Sequence, residues 1–531
     1  MSADIFVETP AAGAHRRVLL AALAVAGAML AAWGWVLALP LMTGADVWPI
    51  LAQGRSALTD PSILWRQRYL EGLWDGARFW RPLLVAFSGV EWALFGESAF
   101  GYHAVRLALA GLVAALLGRL AAAHGRRPEV AFAIAALVFA WHPLRVETLP
   151  AIARDSDTLF NLAMVLAVWW LSGAREARRS AALTAGLAAA LAAPLIKEPG
   201  LLAPVVGLVV LEPWRRCEPG ARRALAGAAI LVLGLAAHLS ARLALLGTIG
   251  GYQQTWVDLT RGEALRAALL ALVDHQAHGL WPWALGLTGL ALVSAGAARP
   301  VSPRPLPAAV RARRRRIGLG LAVWIAGIGS AIVTASRFRS RYVEALLAPL
   351  AVVAAALIAA ALDRALARPR DLLLLGVPTG AGLALALVVL PGTPLLWSYP
   401  QWREAAVVGG RVVDRLEALV RAAEQAGGEL QAARLGRFAL SARAIEDGGV
   451  VVGISPFPYK IAEPEGPRTG SISTVVIMGQ QTLEGFWRIR GLPLPLVVRR
   501  GPPALDVRPS DLEPTADSAL GDQPLEEPAD R

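Results

Sequence analysis

Residues His142–Asp157 have the sequence HPLRVETLPAIARDSD and are called the polar segment below. Six of its sixteen residues are ionisable, and they are His142, Arg145, Glu147, Arg154, Asp155 and Asp157. The flanking residues 129–141 and 158–171 are apolar. Charges beside or inside a membrane are costly and usually mark a functional site. The polar segment is therefore either a site between two membrane helices or a solvated loop that joins them.

The composition is that of a membrane protein. Of the 531 residues, 56% are hydrophobic, and the mean hydropathy is +0.50. Repeated apolar runs of about 17–25 residues indicate membrane-spanning helices. The net charge of +12 comes from arginines concentrated in particular loops, which indicates membrane topology rather than nucleic-acid binding. The single cysteine, Cys217, excludes an intrachain disulfide framework and a cysteine-cluster metal site.

Eleven apolar runs predict a mainly α, polytopic helical bundle with a cytoplasmic N-terminus. They are residues 18–40, 102–122, 129–141, 158–172, 181–196, 199–213, 224–246, 283–296, 317–335, 345–362 and 372–391. Basic loops alternate between them, and Arg313–Arg316 is the strongest cytoplasmic signal. This orientation places the polar segment and the hairpin tip at Lys197-Glu198 outside the cytoplasm. Three arginines between 337 and 341 break the orientation rule on the outer side, and an anionic ligand would explain them.

The membrane domain is predicted to cover residues 16–392, after a cytoplasmic lead at 1–15. Its first outer loop, 41–100, is long and rich in Trp, Arg and acidic residues. Within this loop the apolar residues 82–95 are too short to span a membrane comfortably. They predict an interfacial or re-entrant helix.

The composition changes after Pro391, where we predict a small extracytoplasmic α/β domain at 393–501. An amphipathic helix at 400–426 and strands at 449–455, 472–478 and 486–490 are its expected elements. The Pro- and acid-rich residues 502–531 predict a disordered acidic tail.

Four local patterns, in order along residues 17–400, resemble the C-type glycosyltransferase superfamily (GT-C). The similarity is greatest to the protein O-mannosyltransferases and the transmembrane-and-TPR O-mannosyltransferase-like proteins. The patterns are Gly44-Ala45-Asp46, Trp80-Arg81-Pro82-Leu83, His142-Pro143 with Glu147, Arg154 and Asp157, and Lys197-Glu198 with Arg341-Tyr342. The chain departs from these families because Asp46 stands alone where many relatives have an acidic pair, and no TPR-like period follows the membrane region.

The resemblance implies that a sugar moves from a polyprenyl-phosphate-linked donor to a hydroxyl acceptor on the extracytoplasmic face. The attacking hydroxyl loses a proton, which a carboxylate can accept, and Asp46 is the candidate general base. The leaving lipid phosphate gains charge, which a fixed cation stabilises, and Arg341, Lys197 and Arg81 are the candidates in that order. Each residue also has a plainer interpretation. Asp46 can cap a helix, Arg341 can anchor a lipid headgroup, Lys197 can snorkel from the hairpin tip, and Arg81 can anchor its loop.

The remaining candidates are predicted to hold the acceptor or to orient the first outer loop. They are His142, Glu147, Arg154, Asp155, Asp157 and Tyr342. Asp155 and Asp157 start a predicted helix, where they also simply favour its N-terminus. Asp46, His142, Glu147 and Asp157 are of residue types that bind metals, but no spacing specifies a site. The prediction is therefore metal-independent chemistry without a cofactor.

The expected partners are a polyprenyl-phosphate sugar, membrane lipids and a hydroxyl acceptor that is a protein, a glycan or a lipid. Nucleic acid is not expected. The Ala- and Arg-rich composition favours a bacterial inner membrane. Two other classes stay open: a flippase or transporter of lipid-linked saccharides, and a non-catalytic membrane scaffold. The sequence has no evident internal repeat or pair of broken helices, and its first outer loop is long, which favours the enzyme.

Overall fold

The structure is a computed structural model of the chain. It describes residues 23–41, 47–69, 77–248, 251–252, 266, 307–334, 343–366 and 414–426, with short gaps within the first and third ranges, and four strands between 431 and 499. The predicted lead at 1–15, the predicted tail at 502–531, and the predicted spans at 283–296 and 372–391 lie outside the described residues.

The described part of the chain is mainly helical, as predicted. Its helices are α1 (Val47–Thr59), α2 (Ile63–Arg66), α3 (Pro82–Phe95), α4 (Ala99–Ala122), α5 (Pro128–Trp141), α6 (Asp155–Gly173), α7 (Ala181–Ile196), α8 (Leu202–Leu211), α9 (Ala221–Leu246), α10 (Ala308–Thr334), α11 (Glu344–Leu366) and α12 (414–425). Short 3-10 helices occupy Gly34–Ala38, Ile152–Arg154 and Glu198–Leu201.

Three of the described helices are long and apolar enough to cross a membrane. They are α4, α9 and residues 308–332 of α10. Shorter apolar helices lie at Pro82–Phe95, Val130–Trp141, Ala181–Ile196, Glu198–Leu211 and Glu344–Ala360. The predicted total of eleven spans stays a prediction, because part of the membrane domain lies outside the described residues.

The bundle core forms where consecutive helices pack beside one another. α4 packs on α5, α6 packs on α7 and α8, and α11 packs on α4 and α5. Lipid tails are as apolar as leucine, so close packing rather than hydrophobic burial holds membrane helices together. Small side chains permit that approach, and Ala110, Ala114, Ala135 and Ala136 are fully buried between these helices. The indole N–H of Trp33 also donates to the carbonyl of Ala140 at 2.6 Å.

The predicted helix at 82–95 in the first outer loop is present as α3. It begins at Pro82, whose missing N–H costs nothing in the first turn of a helix. α3 crosses α1 at a close contact between Gly54 and Gly89, where a Cβ on Gly54 would lie 2.6 Å from the backbone nitrogen of Gly89. The two glycines let these helices pack at backbone distance, so the first outer loop has a compact core beside the bundle.

Strands occupy two places. β1 (Ala77–Arg78) pairs antiparallel with β2 (Gly251–Tyr252), which ties the first outer loop to the residues after α9. A four-stranded sheet has the order β3 (Gln431–Leu435), β4 (Phe438–Ile445), β5 (Gly449–Ser455) and β6 (Leu496–Arg499), with the last pair parallel and the others antiparallel. β5 has the bounds predicted for a strand there, while the predicted strands at 472–478 and 486–490 lie outside the described residues.

Candidate active site

The described residues of the polar segment fold into one end of the bundle. His142 follows the end of α5, and its Nδ1 accepts the N–H of Leu144 at 3.2 Å. The N–H of Arg145 donates to the carbonyl of His142 at 3.0 Å, and the N–H of Leu149 donates to the carbonyl of Arg145 at 2.9 Å. Because the Arg145 side chain is also fully buried, this turn is an ordered part of the core and not a solvated loop.

An ion pair joins the polar segment to the hairpin tip. The ammonium of Lys197, which follows α7, contacts the carboxylate of Asp157 in the first turn of α6. The two side chains are 13% and 5% exposed. Since α6 and α7 run side by side, this pair lies where the end of one helix meets the start of the other. Lys197 is therefore held against Asp157 rather than extended along the bundle surface.

A second ion pair joins the same tip to the first outer loop. The guanidinium of Arg81 binds the carboxylate of Glu198 in a forked contact, with Nε 3.1 Å from both oxygens and Nη2 2.5 Å from Oε2. The Arg81 guanidinium also lies over the rings of Tyr69 and Phe79, 4.7 Å and 4.6 Å from their centroids. Burial raises the pKa of the Glu198 carboxyl, but Arg81 and Arg242 outweigh burial and hold that pKa below its ordinary value.

A third ion pair joins the polar segment to the start of α11. Arg145 Nη1 donates to Glu344 Oε1 at 2.9 Å, and both side chains are fully buried. The guanidinium also lies 4.4 Å from the ring centroid of Phe139. Burial lowers the pKa of the Arg145 guanidinium, and Glu344 and Asp157 act in the opposite direction. Glu344 is three residues after Arg341 in the chain.

A fourth ion pair holds the first residue of α6. Arg106 of α4 donates from Nε to Asp155 Oδ1 at 2.6 Å, and its Nη2 donates to the carbonyl of Ile152. Asp155 does begin a helix, as one of its two sequence interpretations expects, and it also neutralises a buried arginine.

The four pairs form one connected group, called the ion-pair cluster below. Its members are Arg81, Arg106, Arg145, Asp155, Asp157, Lys197, Glu198 and Glu344. Asp157 lies close enough to Arg145, Asp155 and Glu344 to interact with each electrostatically. Lys197 and Glu198 are consecutive in the chain, which links the Arg81–Glu198 pair to the other three pairs. Cations and anions from five separate helices and loops therefore meet at one end of an apolar bundle.

The structure brings four of the predicted site residues into this cluster and leaves others undescribed. Arg81, Asp155, Asp157 and Lys197 belong to the cluster, and His142 is buried beside Arg145. Arg154 is half-buried at the end of a 3-10 helix. The candidates outside the described residues are Asp46, Glu147, Arg341 and Tyr342.

Sequence reasoning missed Arg106, Arg242 and His238. Arg242 and His238 lie in α9 and are 0% and 8% exposed, and Arg106 in α4 is 1% exposed. Their signal is present in the sequence, because each is an ionisable residue inside an otherwise apolar run, which marks a paired or functional position. Arg145 and Glu344 were visible as charges, but nothing in the sequence identified them as partners.

The arrangement can bind an anion beside partly exposed cations and hold polar groups in fixed orientations. Forked contacts between arginine and carboxylate or phosphate are strong and directional. No group of three or more His, Cys, Asp or Glu side chains among the described residues is placed to hold a metal ion.

Comparison with known proteins gives structural neighbours. No family model and no curated protein matches the chain in sequence. The chain is similar to the oligosaccharyltransferase of Archaeoglobus fulgidus, whose structure holds a tethered acceptor peptide, with TM-score 0.43, 16% identity and coverage of 76% of this chain and 57% of that chain. It thus spans little more than half the length of that neighbour.

The chain is also similar to ArnT from Cupriavidus metallidurans in two states. The apo structure has TM-score 0.39 and 19% identity, covering 78% of this chain and 72% of that chain. The structure bound to undecaprenyl phosphate has TM-score 0.38 and 19% identity, covering 78% and 73%. Scores below 0.5 establish neither the activity nor the substrates of this chain.

Proposed function

We propose that this protein is a membrane glycosyltransferase. It moves a sugar from a polyprenyl-phosphate-linked donor to a hydroxyl on a protein, glycan or lipid acceptor at the extracytoplasmic face of a bacterial inner membrane. The observation that carries the proposal is the ion-pair cluster, in which three of the four glycosyltransferase-like patterns contribute paired charges at one end of an apolar bundle. Charges are retained in such a place when a function requires them.

The donor phosphate is assigned to the partly exposed cations of the cluster. Arg81 and Lys197 are both 13% exposed, so each can meet a ligand while it keeps its carboxylate partner. Arg341 is assigned to the same phosphate from the sequence pattern, three residues before the buried Glu344. The polyprenyl chain lies along the apolar outer surface of the bundle, where Leu94 and Leu233 are each 69% exposed.

The reaction is a single displacement at the anomeric carbon of the sugar. The acceptor oxygen forms the new bond to that carbon while the bond from the carbon to the phosphate oxygen breaks. Asp46 takes the proton of the acceptor hydroxyl, and polyprenyl phosphate leaves with both bonding electrons. The cations at the phosphate stabilise the negative charge that develops on it, and no metal ion takes part.

The acceptor side is assigned to the polar segment and its neighbour Tyr342. His142, Glu147, Arg154, Asp155 and Asp157 hold the acceptor or orient the first outer loop over it. The pairs of Asp155 with Arg106 and of Asp157 with Lys197 favour the orienting role for these two carboxylates, because each already has a cationic partner within the protein.

We further propose the complete architecture that the sequence predicts. It has eleven spans in residues 16–392, a cytoplasmic N-terminus, and an extracytoplasmic α/β domain at 393–501. α12 and the four-stranded sheet supply helical and strand elements for that domain.

The test is incubation of the purified protein in lipid nanodiscs with a panel of polyprenyl-phosphate sugars and hydroxyl acceptors. Mass spectrometry of lipids and acceptors is expected to show released polyprenyl phosphate and a glycosylated acceptor. The Asp46→Asn variant is the matched control for background transfer. Donor that crosses the membrane without chemical change would identify a transporter instead. Donor that is neither moved nor changed across the panel would contradict the enzyme.

A further inference from the structure

A buried arginine in the last turns of α9 contacts the backbone of two segments that carry candidate site residues. Arg242 Nη2 donates to the carbonyl oxygens of Trp80 and Pro194, both at 3.0 Å. Its Nε donates to Nε2 of His238 at 2.7 Å. The Arg242 side chain is 0% exposed, so it reaches these groups from inside the protein.

The two carbonyls lie within three residues of the cations assigned to the donor phosphate. Trp80 is the residue before Arg81, and Pro194 is three residues before Lys197. Pro194 lies in the last turn of α7, where carbonyl groups have no partner within the helix. A buried carbonyl without a hydrogen bond is costly, so Arg242 satisfies both groups and sets the spacing between their segments.

Neighbouring contacts fix the same geometry. The indole of Trp80 stacks on the imidazole of His238, with ring centroids 5.3 Å apart. Arg78 Nη1 donates to the carbonyl of Leu246 at 2.9 Å. Gly247 follows at φ 68, a left-handed conformation that glycine adopts without strain and that ends α9 beside β1. The end of α9 is therefore attached to the first outer loop at several points.

Arg242 also leaves the cluster with positive charge for an anion. Its Nη2 lies 3.7 Å from Glu198 Oε1, on the carboxylate that binds Arg81. One carboxylate therefore faces two guanidiniums. A phosphate group is a ligand that neighbouring guanidiniums favour, because arginine binds it through forked hydrogen bonds.

We propose that Arg242 is a positioning residue of the lipid-phosphate site. It holds Arg81 and Lys197 at the separation that one phosphate group requires, and it does not touch the donor itself. This inference rests on the proposed function, since it concerns the same donor.

The test compares Arg242 with a matched arginine at the opposite end of the bundle. Arg175 is 4% exposed, and its guanidinium likewise donates to backbone carbonyls, those of Leu211, Glu212, Arg215 and Glu218. The variants are Arg242→Gln, Arg242→Lys and Arg175→Gln, each taken as monodisperse protein in nanodiscs. The probe is undecaprenyl phosphate, and undecaprenol, which lacks the phosphate, is its control.

We expect Arg242→Gln to bind undecaprenyl phosphate about tenfold more weakly, because a displaced Arg81 or Lys197 loses roughly one net hydrogen bond to the charged phosphate. Arg242→Lys keeps the charge, but an ammonium is a point charge and lacks the planar fork of donors of a guanidinium. This variant is therefore also expected to bind undecaprenyl phosphate more weakly, by at least about threefold. Arg175→Gln keeps wild-type affinity. In turnover with an active donor, the Arg242 variants raise the donor KM more than they lower kcat.

Two results overturn the inference in different ways. Wild-type affinity in Arg242→Lys would show that a forked contact is not needed, and the positioning role would be wrong while the donor site stands. If the wild-type protein binds undecaprenol as tightly as undecaprenyl phosphate, the phosphate site itself fails, and the proposed function fails with it. Arg242→Lys decides the question if Arg242→Gln does not fold.

Discussion

The helical bundle has charged residues at both ends, and the two ends are built differently. At the site end, which holds the ion-pair cluster, Arg81–Glu198, Arg145–Glu344 and Lys197–Asp157 join residues 117, 199 and 40 positions apart in the chain. Every side chain in these three pairs is at most 18% exposed. The site end is therefore held by buried contacts between distant segments.

The opposite end has ion pairs whose arginines are more exposed, and one of these pairs joins residues three positions apart in the chain. Arg215 Nη1 lies 2.7 Å from Glu218 Oε1, and Arg315 Nη2 lies 2.8 Å from Glu212 Oε2. The side chains of Arg215, Glu218 and Arg315 are 35–39% exposed. A hydrogen bond from Arg215 lowers the pKa of the Glu218 carboxyl from its ordinary value.

The two ends differ in the free-energy cost of their ion pairs. Exposed ion pairs cost little and contribute about 0–1 kcal/mol, so the opposite end needs no functional explanation. Buried pairs pay a desolvation penalty that apolar side chains of similar volume would avoid. Their concentration at one end therefore indicates that this end is kept for a site and not for stability.

The largest effect is expected from breaking the buried pair at the site end. Arg145→Ala leaves Glu344 buried without its cation, which typically destabilises a protein by about 3–5 kcal/mol. Arg215→Ala, at the opposite end, is expected to cost less than about 1 kcal/mol. Unfolding in mixed detergent micelles measures both.

A double replacement tests the reason for this effect. Arg145→Met with Glu344→Leu removes both charges together, so it should recover most of the stability that Arg145→Ala loses. Equal losses in Arg145→Ala and Arg215→Ala would erase the distinction between the two ends.

The next effect concerns Asp46, the candidate base. Asp46→Asn keeps the shape of the side chain but removes the proton acceptor, and general-base catalysis is typically worth about 10²–10⁴-fold. We expect a folded variant that binds donor and transfers sugar at least about a hundredfold more slowly. Asp46→Glu should retain little activity, because the longer side chain displaces the base.

Asp60→Asn and Asp75→Asn in the same loop are the controls, and their effects should be smaller. Sugar transfer at the wild-type rate in Asp46→Asn would mean that another residue is the general base, with Glu147 and Asp157 as the next candidates.

A smaller effect is expected for the cations assigned to the donor. Arg341→Ala and Lys197→Ala should each weaken donor binding about tenfold, because a charge-assisted contact to phosphate is lost. Arg341→Lys should have part of the affinity that Arg341→Ala loses, since it keeps a positive charge but lacks the forked donors of a guanidinium. Titration with undecaprenyl phosphate measures all three variants. Full affinity in both alanine variants would remove the phosphate assignment.

The last prediction concerns membrane topology and perturbs the protein least. Cysteine labelling reports on which side of the membrane each end of the bundle lies. Cys217 is exposed at the opposite end and should react only with reagent on the cytoplasmic side. Ser156, at 3% exposure, is too buried to label, so Asp60→Cys in a Cys217→Ser background reports on the site end. If only reagent on the cytoplasmic side labels Asp60→Cys, the predicted orientation of the chain in the membrane is reversed.

Much of the helical framework was predictable, because apolar runs of helical length are a local property. The apolar residues 82–95 became α3, and 181–196 became α7 with the same bounds. Part of the site was predictable as well, since Arg81, Asp157 and Lys197 were singled out as charges beside apolar sequence. Arg242 and Arg106 were missed because each lies within an apolar run, and a span tolerates an isolated charge without ceasing to look like a span.

Composition over a short window is enough to predict that the chain builds apolar helices and that charges gather in the polar segment and at the hairpin tip. Which acid faces which base follows only from the tertiary structure. Arg145 reaches Glu344 across 199 residues, and Arg242 reaches both Trp80 and Pro194. Coulomb and hydrogen-bond energies depend on distance in space. That distance is set by how the helices pack, which no local pattern of residues records.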